Sequence, residues 1–168
     1  MKIRVFTTGG TIDKIYYDAK SDFHIGDSQI AEFFGQAYVD FDYEITSLLR
    51  KDSLDMNDAD RELVRQAVAA DAGDRILITH GTDTMIQTAL QLRDIPAKTI
   101  VLTGAMQPSR MKDSDAAFNV GCALAALQTL PAGVYIAMSG RILDPANSIK
   151  NVAQHRFEAT VQQPPKSA

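Results

Sequence analysis

Three short polar loops follow apolar runs in this chain, and each carries side chains able to attack a carbonyl, hold a charge or move a proton. The first is Thr7-Thr8-Gly9-Gly10-Thr11-Ile12-Asp13. Its two glycines let the backbone turn tightly and approach a ligand, which leaves the Thr11 hydroxyl placed to act as a nucleophile. The same residues also read as a glycine turn whose threonines bond the local backbone. The second loop, Thr79-His80-Gly81-Thr82-Asp83-Thr84, opens a helical pattern, and the free N–H groups of a helix start favour an anion or a developing oxyanion. Thr and Asp are equally ordinary capping residues there, and His80 reads as a strand-end histidine bonded to its surroundings. The third, Gly104-Ala105-Met106-Gln107-Pro108-Ser109-Arg110, offers small residues to wall a tight pocket. Arg110 and Lys112 read equally as a solvated basic patch. Lys150, close to Asp144-Pro145-Ala146-Asn147, is by itself a surface lysine; only a lysine buried beside a hydroxyl can take its proton.

Such loops need a scaffold, and the apolar pattern supplies one. Strands are predicted at Lys2 to Thr8, Tyr43 to Thr46, Arg75 to Thr79, Thr99 to Leu102 and Val134 to Met138, with a small extra strand within Gly140 to Leu143. Helices are predicted for a segment capped by Ser28, with Ile30, Phe33 and Phe34 on one face and Gly35 weakening or ending it. Others are expected at Asn57 to Ala72 with Gly73 as the stop, at Thr84 to Leu92 and at Ser114 to Leu127. Residues from the first glycines to about Asp27 read as a long Asp-rich loop. Alternating strands and helices imply an α/β fold: a three-layer α/β/α single domain with a mainly parallel sheet. In such a sheet, ligands gather beyond the carboxyl ends of the strands, where all three loops fall. The domain is expected to span residues 1–161, with 162–168 a disordered tail.

Bulk composition narrows the function. The 168 residues are 45% hydrophobic, enough for one core without a metal or disulfide staple, and the formal charge of −4 argues against nucleic acid. The single Cys122 reads as a small buried hydrophobe and cannot build a disulfide framework. Neither a signal core nor a stretch of membrane-spanning length is visible, so the expectation is a cytoplasmic protein without a membrane partner.

Taken together and in order, Thr8-Gly9-Gly10-Thr11-Ile12, Asp52-Ser53-Leu54-Asp55-Met56-Asn57, Thr79-His80-Gly81-Thr82-Asp83-Thr84-Met85 and Gly104-Ala105-Met106-Gln107-Pro108-Ser109 resemble the bacterial L-asparaginase family. Leu143-Asp144, followed six positions later by Lys150, is similar to the family's lysine-bearing loop. The resemblance implies that Thr11 attacks the side-chain amide of L-asparagine to form a β-aspartyl ester, which water hydrolyses without a metal or organic cofactor. It matches Thr82, Asp83 and Lys150 to the group that assists proton transfer, and leaves open which threonine attacks first. Ser53 matches the residue that holds the substrate α-carboxylate, and Asp83 also suits the α-ammonium. Gly10, Asp52, Gly81 and Ala105 complete the expected substrate-binding set, with backbone N–H groups near Thr11 and Thr82 as an oxyanion hole.

Two departures from the family pattern stand out. A tyrosine normally activates the first threonine, and an alignment through Ser21-Asp22-Phe23-His24-Ile25-Gly26 puts Phe23 in its place. Tyr16 or Tyr17 is then the candidate replacement, with Tyr16 favoured. The family's usual C-terminal domain, which completes a neighbouring subunit's site, also has no counterpart here, so a homo-oligomer is expected. Selectivity for asparagine over glutamine, a D-isomer or another small amide stays open. So does a different class of function, an amino-acid binding module or a specificity subunit of a larger amidotransferase.

Overall fold

In the computed structural model, which describes residues 1–17 and 22–160, five strands run parallel. The expected domain end at 161, the tail and Ser21 lie outside the described residues. β1 (Lys2–Gly9), β4 (Asp42–Lys51), β5 (Arg75–Thr79), β6 (Thr99–Thr103) and β7 (Gly133–Met138) lie in the order β4-β1-β5-β6-β7. The small strand β8 (Arg141–Leu143) adds antiparallel to β7. The central strands are apolar at nearly every position because both faces are covered. Ile76, Ile78, Ile100, Leu102, Ile136 and Met138 pack with Val64 and Val68 of α2 (Asp58–Ala70) and with Met85 and Ala89 of α3 (Met85–Gln91). On the opposite face, Leu77, Val101 and Ala137 meet Ile30 and Phe34 of α1 (Ile30–Gln36) and Val120, Ala123 and Leu127 of α4 (Ala116–Thr129). This is the expected three-layer domain.

Local chemistry explains the helix limits. Asn57 caps α2 in a reciprocal box with Asp60: the Asn57 side chain accepts from the Asp60 N–H at 3.0 Å, and the Asp60 carboxylate accepts from the Asn57 N–H at 3.0 Å. Asp71 then leaves the helix in an extended conformation, before Gly73. Gly35 does not end α1, which continues through Gln36, since a glycine in the last turn costs little against the burial of Ile30 and Phe34. Cys122 is half-buried and packs on the cluster beneath α4.

Two stretches differ from the sequence reading. The Asp-rich segment is an antiparallel hairpin, with β2 (Lys14–Tyr17) paired to β3 (Asp22–Ile25), because Ile15, Tyr16 and Phe23 favour extended, cross-strand packed structure over a loop. Beyond β8, a second antiparallel pair, β9 (Ser148–Asn151) and β10 (Arg156–Ala159), is anchored by the fully buried Phe157. The alternation in β9 and β10 is too short to stand out of the sequence.

The parallel register aligns the carboxyl ends of three neighbouring strands: Thr7 lies opposite Thr79, and Thr79 opposite Thr103. The loops leaving them then meet backbone to backbone. Gly10 adopts φ +86, and a Cβ there would lie 2.3 Å from the Gly81 Cα. A Cβ on Gly81 would lie 2.5 Å from the Ser53 Cβ, and one on Gly104 would lie 2.3 Å from the His80 carbonyl oxygen. Glycine is required at all three positions by space, and at Gly10 by its dihedral angle as well. Asp13 closes the same turn, donating its N–H to the Gly10 carbonyl at 3.1 Å. Its side chain is only 3% exposed, and burial pushes its pKa up to about 6 despite partial relief from the Gln29 backbone, Ser28 and Arg50.

Gly10→Ala is therefore expected to destabilise the domain by about 2 kcal/mol or more, through the left-handed backbone and the clash with Gly81; chemical denaturation measures it, and an unchanged midpoint would refute the close packing. The Asp13 carboxyl holds its proton more tightly folded than unfolded, so the stability it confers is full below its ordinary value of 3.8 and is lost as pH rises through about 6. Asp13→Asn should flatten that slope and leave the variant more stable than wild type at pH 8 by up to about 3 kcal/mol. Equal slopes in thermal melts across pH 4–8 would contradict this.

Candidate functional site

At the carboxyl edge of the sheet lies a cleft of about 270 Å³ lined by Thr11, Thr82, Asp83, Met106, Gln107, Lys150, Val152 and His155. Four of the expected catalytic residues, Thr11, Thr82, Asp83 and Lys150, are thus brought together. Thr11 begins a 3-10 turn directly after the two glycines, and Thr82 and Asp83 lie in the turn between β5 and α3. Lys150 reaches them from β9, which is why neither loop alone announces the site.

The polar core of the cleft is short and direct. The Lys150 Nζ donates to the Thr82 Oγ1 at 2.7 Å and to the Asp83 Oδ1 at 2.6 Å. Its side chain is 18% exposed, so it is not the solvated surface lysine of the alternative reading; it sits beside a hydroxyl that is itself buried. The carboxylate of Asp83 offsets the ammonium charge in this partly dry position. The Thr11 hydroxyl, on the same cleft, makes no hydrogen bond among the described residues.

Behind this front the remaining expected residues form a support. Gly10 and Gly81 touch where the two loops meet, and neither is among the lining residues of the cleft. Ser53 is fully buried behind Gly81: its Oγ accepts the Asp83 N–H at 3.3 Å, and its carbonyl accepts the Thr84 hydroxyl at 2.9 Å. It fixes the Thr82-Asp83 turn and is not among the lining residues of the cleft. Asp52 accepts from Lys14 Nζ at 2.7 Å, tying the first hairpin to the Ser53 turn. Burial works to raise its pKa, but Lys14 and the Leu54 and Ser53 N–H groups outweigh it, and the net shift is downward. Ala105 is buried in the core below the third loop.

Tyr16 is not brought to the cleft. It lies half-exposed on β2, edge-on to Phe23 with ring centroids 5.3 Å apart. Cross-strand pairing of Tyr16 with Phe23 holds the ring there. His80 is a satisfied buried histidine. Its Nδ1 faces the Gly81 carbonyl at 2.8 Å and must carry the proton, since a carbonyl only accepts, leaving Nε2 to accept the Thr88 hydroxyl at 2.8 Å. Burial lowers its pKa to about 4, which keeps the ring neutral. Arg110 and Lys112 are exposed, as a solvated patch.

Sequence reasoning missed Asp115 and Asn119, which hold the third loop. The Asp115 carboxylate accepts the Met106 N–H at 2.9 Å and the Gln107 N–H at 3.0 Å. The buried Asn119 donates to the Gly104 carbonyl at 3.0 Å and accepts from the Ser139 N–H at 3.1 Å. Their spacing of four on one helix turn is the signal that could have found them. Also missed were His155 and Val152, both on the turn between β9 and β10.

Comparison with known proteins follows the same outline. The N-terminal asparaginase family model matches residues 2–166. The L-asparaginase of Thermococcus kodakarensis is 32% identical over 149 residues, covering 85% of this chain and 45% of its own length. Its solved structure superposes with a TM-score of 0.82 at 30% identity, over 95% of this chain and 51% of that one. L-asparaginase I from Vibrio cholerae superposes with a TM-score of 0.81 at 26% identity, over 94% and 51% of the two chains. A glutamyl-tRNA(Gln) amidotransferase component from Methanosarcina barkeri is 32% identical over 152 residues, covering 85% of this chain and 35% of its own. The chain therefore spans about half the length of the asparaginases it matches. With a family match running almost end to end and the same fold laid over nearly all of it, the chain belongs to the asparaginase family, in the part that corresponds to the N-terminal domain.

Proposed function

We propose that this protein hydrolyses the side-chain amide of L-asparagine to L-aspartate and ammonia through a threonine nucleophile. The observation that carries the reading is the Lys150 amine held 2.7 Å from the Thr82 hydroxyl and 2.6 Å from the Asp83 carboxylate, on the cleft that Thr11 also lines. Such a contact lets a proton pass between hydroxyl and amine, while Asp83 keeps the lysine in place. In the first half-reaction the Thr11 oxygen bonds to the amide carbon, the C–N bond breaks, and the hydroxyl proton leaves with ammonia. In the second, water oriented by Thr82 adds to the ester carbon, the Thr11 C–O bond breaks, and a water proton returns to Thr11. Backbone N–H groups at the touching glycine loops supply the oxyanion donors, and the partly exposed Asp83 also suits the α-ammonium of a free amino acid. No metal or organic cofactor enters these steps.

A second reading, an amide-hydrolysing component of a larger amidotransferase, is favoured by the identity shared with the Methanosarcina protein and shifts the substrate to glutamine. The cleft volume admits either side chain, and one methylene is worth only about 1–3 kcal/mol of discrimination. The proposal extends to a cytoplasmic location, which suits the unpaired Cys122. It also extends to self-association through α4, which carries no charged residue over Ala116–Thr129 and leaves Phe118 61% exposed.

Ammonia release from L-asparagine and from L-glutamine checks the reaction. Wild type should turn over asparagine faster, Thr11→Val should lose about 10⁴-fold or more, and Lys150→Met about 10²–10⁴-fold. A Thr11→Val variant with wild-type rates would move the nucleophile elsewhere, and a preference for glutamine would select the second reading. Sedimentation equilibrium should show a dimer or larger assembly that Phe118→Glu dissociates; a monomer at every concentration would refute self-association.

A further inference from the structure

Three ionisable side chains line the cleft, and two of them are committed to each other. Asp83 and Lys150 form one pair, with Lys150 also bound to Thr82. The third is His155, whose imidazole makes no hydrogen bond among the described residues and which shares the cleft with the equally unbonded Thr11 hydroxyl. One hydroxyl of the site thus has a nitrogen partner in Lys150, and the other faces a cleft whose remaining proton-carrying group is His155.

His155 is held in place by its own turn. It stands in the left-handed conformation, φ 50, at the end of the 3-10 turn Val152–Gln154, with its N–H donated to the Val152 carbonyl at 3.3 Å. Asn151 accepts the Gln154 N–H at 3.1 Å and donates to Glu158 at 3.2 Å, bracing the turn across the β9–β10 pair. Two residues on, Phe157 lies opposite Lys150 in the register and is wholly buried. The hairpin that delivers Lys150 to Thr82 therefore also brings His155, an exposed residue, to the lining of the cleft. Asparagine, aspartate and histidine are the non-glycine residues enriched in that backbone conformation.

We propose that His155 is a catalytic residue that carries the proton from the Thr11 hydroxyl to the leaving nitrogen. This rests on the asparaginase reading above. As the Thr11 oxygen bonds to the amide carbon, its proton passes to the imidazole; as the C–N bond breaks, the same proton passes to the departing nitrogen, and ammonia leaves. In the second half-reaction, the imidazole takes a proton from the incoming water and returns it to the Thr11 oxygen as the ester bond breaks. The ring ends each cycle as it began, and no co-reactant beyond water is consumed. Imidazole suits this traffic because one ring nitrogen can donate a proton while the other accepts one. The Lys150–Thr82–Asp83 group then orients the water, which separates the roles of the two hydroxyls.

The test compares full-chain wild type with His155→Asn, which accepts the left-handed backbone but carries no proton, and His155→Gly, which accepts it and opens room for added imidazole. Circular dichroism first confirms that both variants are folded. The expected result is wild-type ammonia release from L-asparagine, a fall in kcat of about 10²–10⁴-fold in both variants with KM nearly unchanged, and recovery of the His155→Gly rate on adding imidazole. Variants as fast as wild type, or slow variants that imidazole does not restore, would overturn the role of His155 while leaving the asparaginase reading intact. A wild type that releases no ammonia from any amide would overturn both.

Discussion

At the carboxyl edge of this sheet the loops leaving β1 and β5 approach until Gly10 and Gly81 touch backbone to backbone, leaving no space for a Cβ on Gly10, while Ser53 leaves none on Gly81. Everything chemical about the molecule depends on that contact. Neighbouring parallel strands lie about 4.8 Å apart, so loops with ordinary side chains at these positions would splay. Because they do not, Thr11 and Thr82 line one small cleft, and Ser53, packed behind Gly81, can bond the Asp83 N–H and hold the second turn at its distance. The third loop is drawn in by the same close approach at Gly104, then locked by Asp115 and Asn119 from α4 and its cap.

Against this scaffold the functional lysine arrives from far along the chain. Lys150 lies 68 residues beyond Thr82, and its position is set by the β9–β10 pair with Phe157 driven into the core. Burying an amine is unfavourable unless a carboxylate and hydrogen-bond acceptors receive it. Asp83 and Thr82 meet that condition, and the hairpin supplies the packing that keeps all three together.

Most of the scaffold was legible because its burial is simple. Strands covered on both faces read as unbroken apolar runs, as at Ile76-Leu77-Ile78 and Ile100-Val101-Leu102, and α2 announces itself by the helical spacing of Leu63, Val64, Ala67 and Val68 before Gly73. The grouping of Thr11, Thr82, Asp83 and Lys150 was legible through motif order. What could not be read were facts set by long-range packing. Ser53 lies behind the cleft because Gly81 covers it, and Tyr16 lies outside it because cross-strand pairing with Phe23 fixes its ring. His155 carries no motif at all; only the turn between β9 and β10 brings it to the cleft.

The central claim is that the Thr11 oxygen becomes covalently bonded to substrate. Protein mixed with L-asparagine and quenched in acid during turnover, then digested and weighed by mass spectrometry, tests this most directly. The account predicts a β-aspartyl ester on the peptide containing Thr11, absent without substrate. An ester on the peptide containing Thr82, or turnover with no adduct on either threonine, would contradict it.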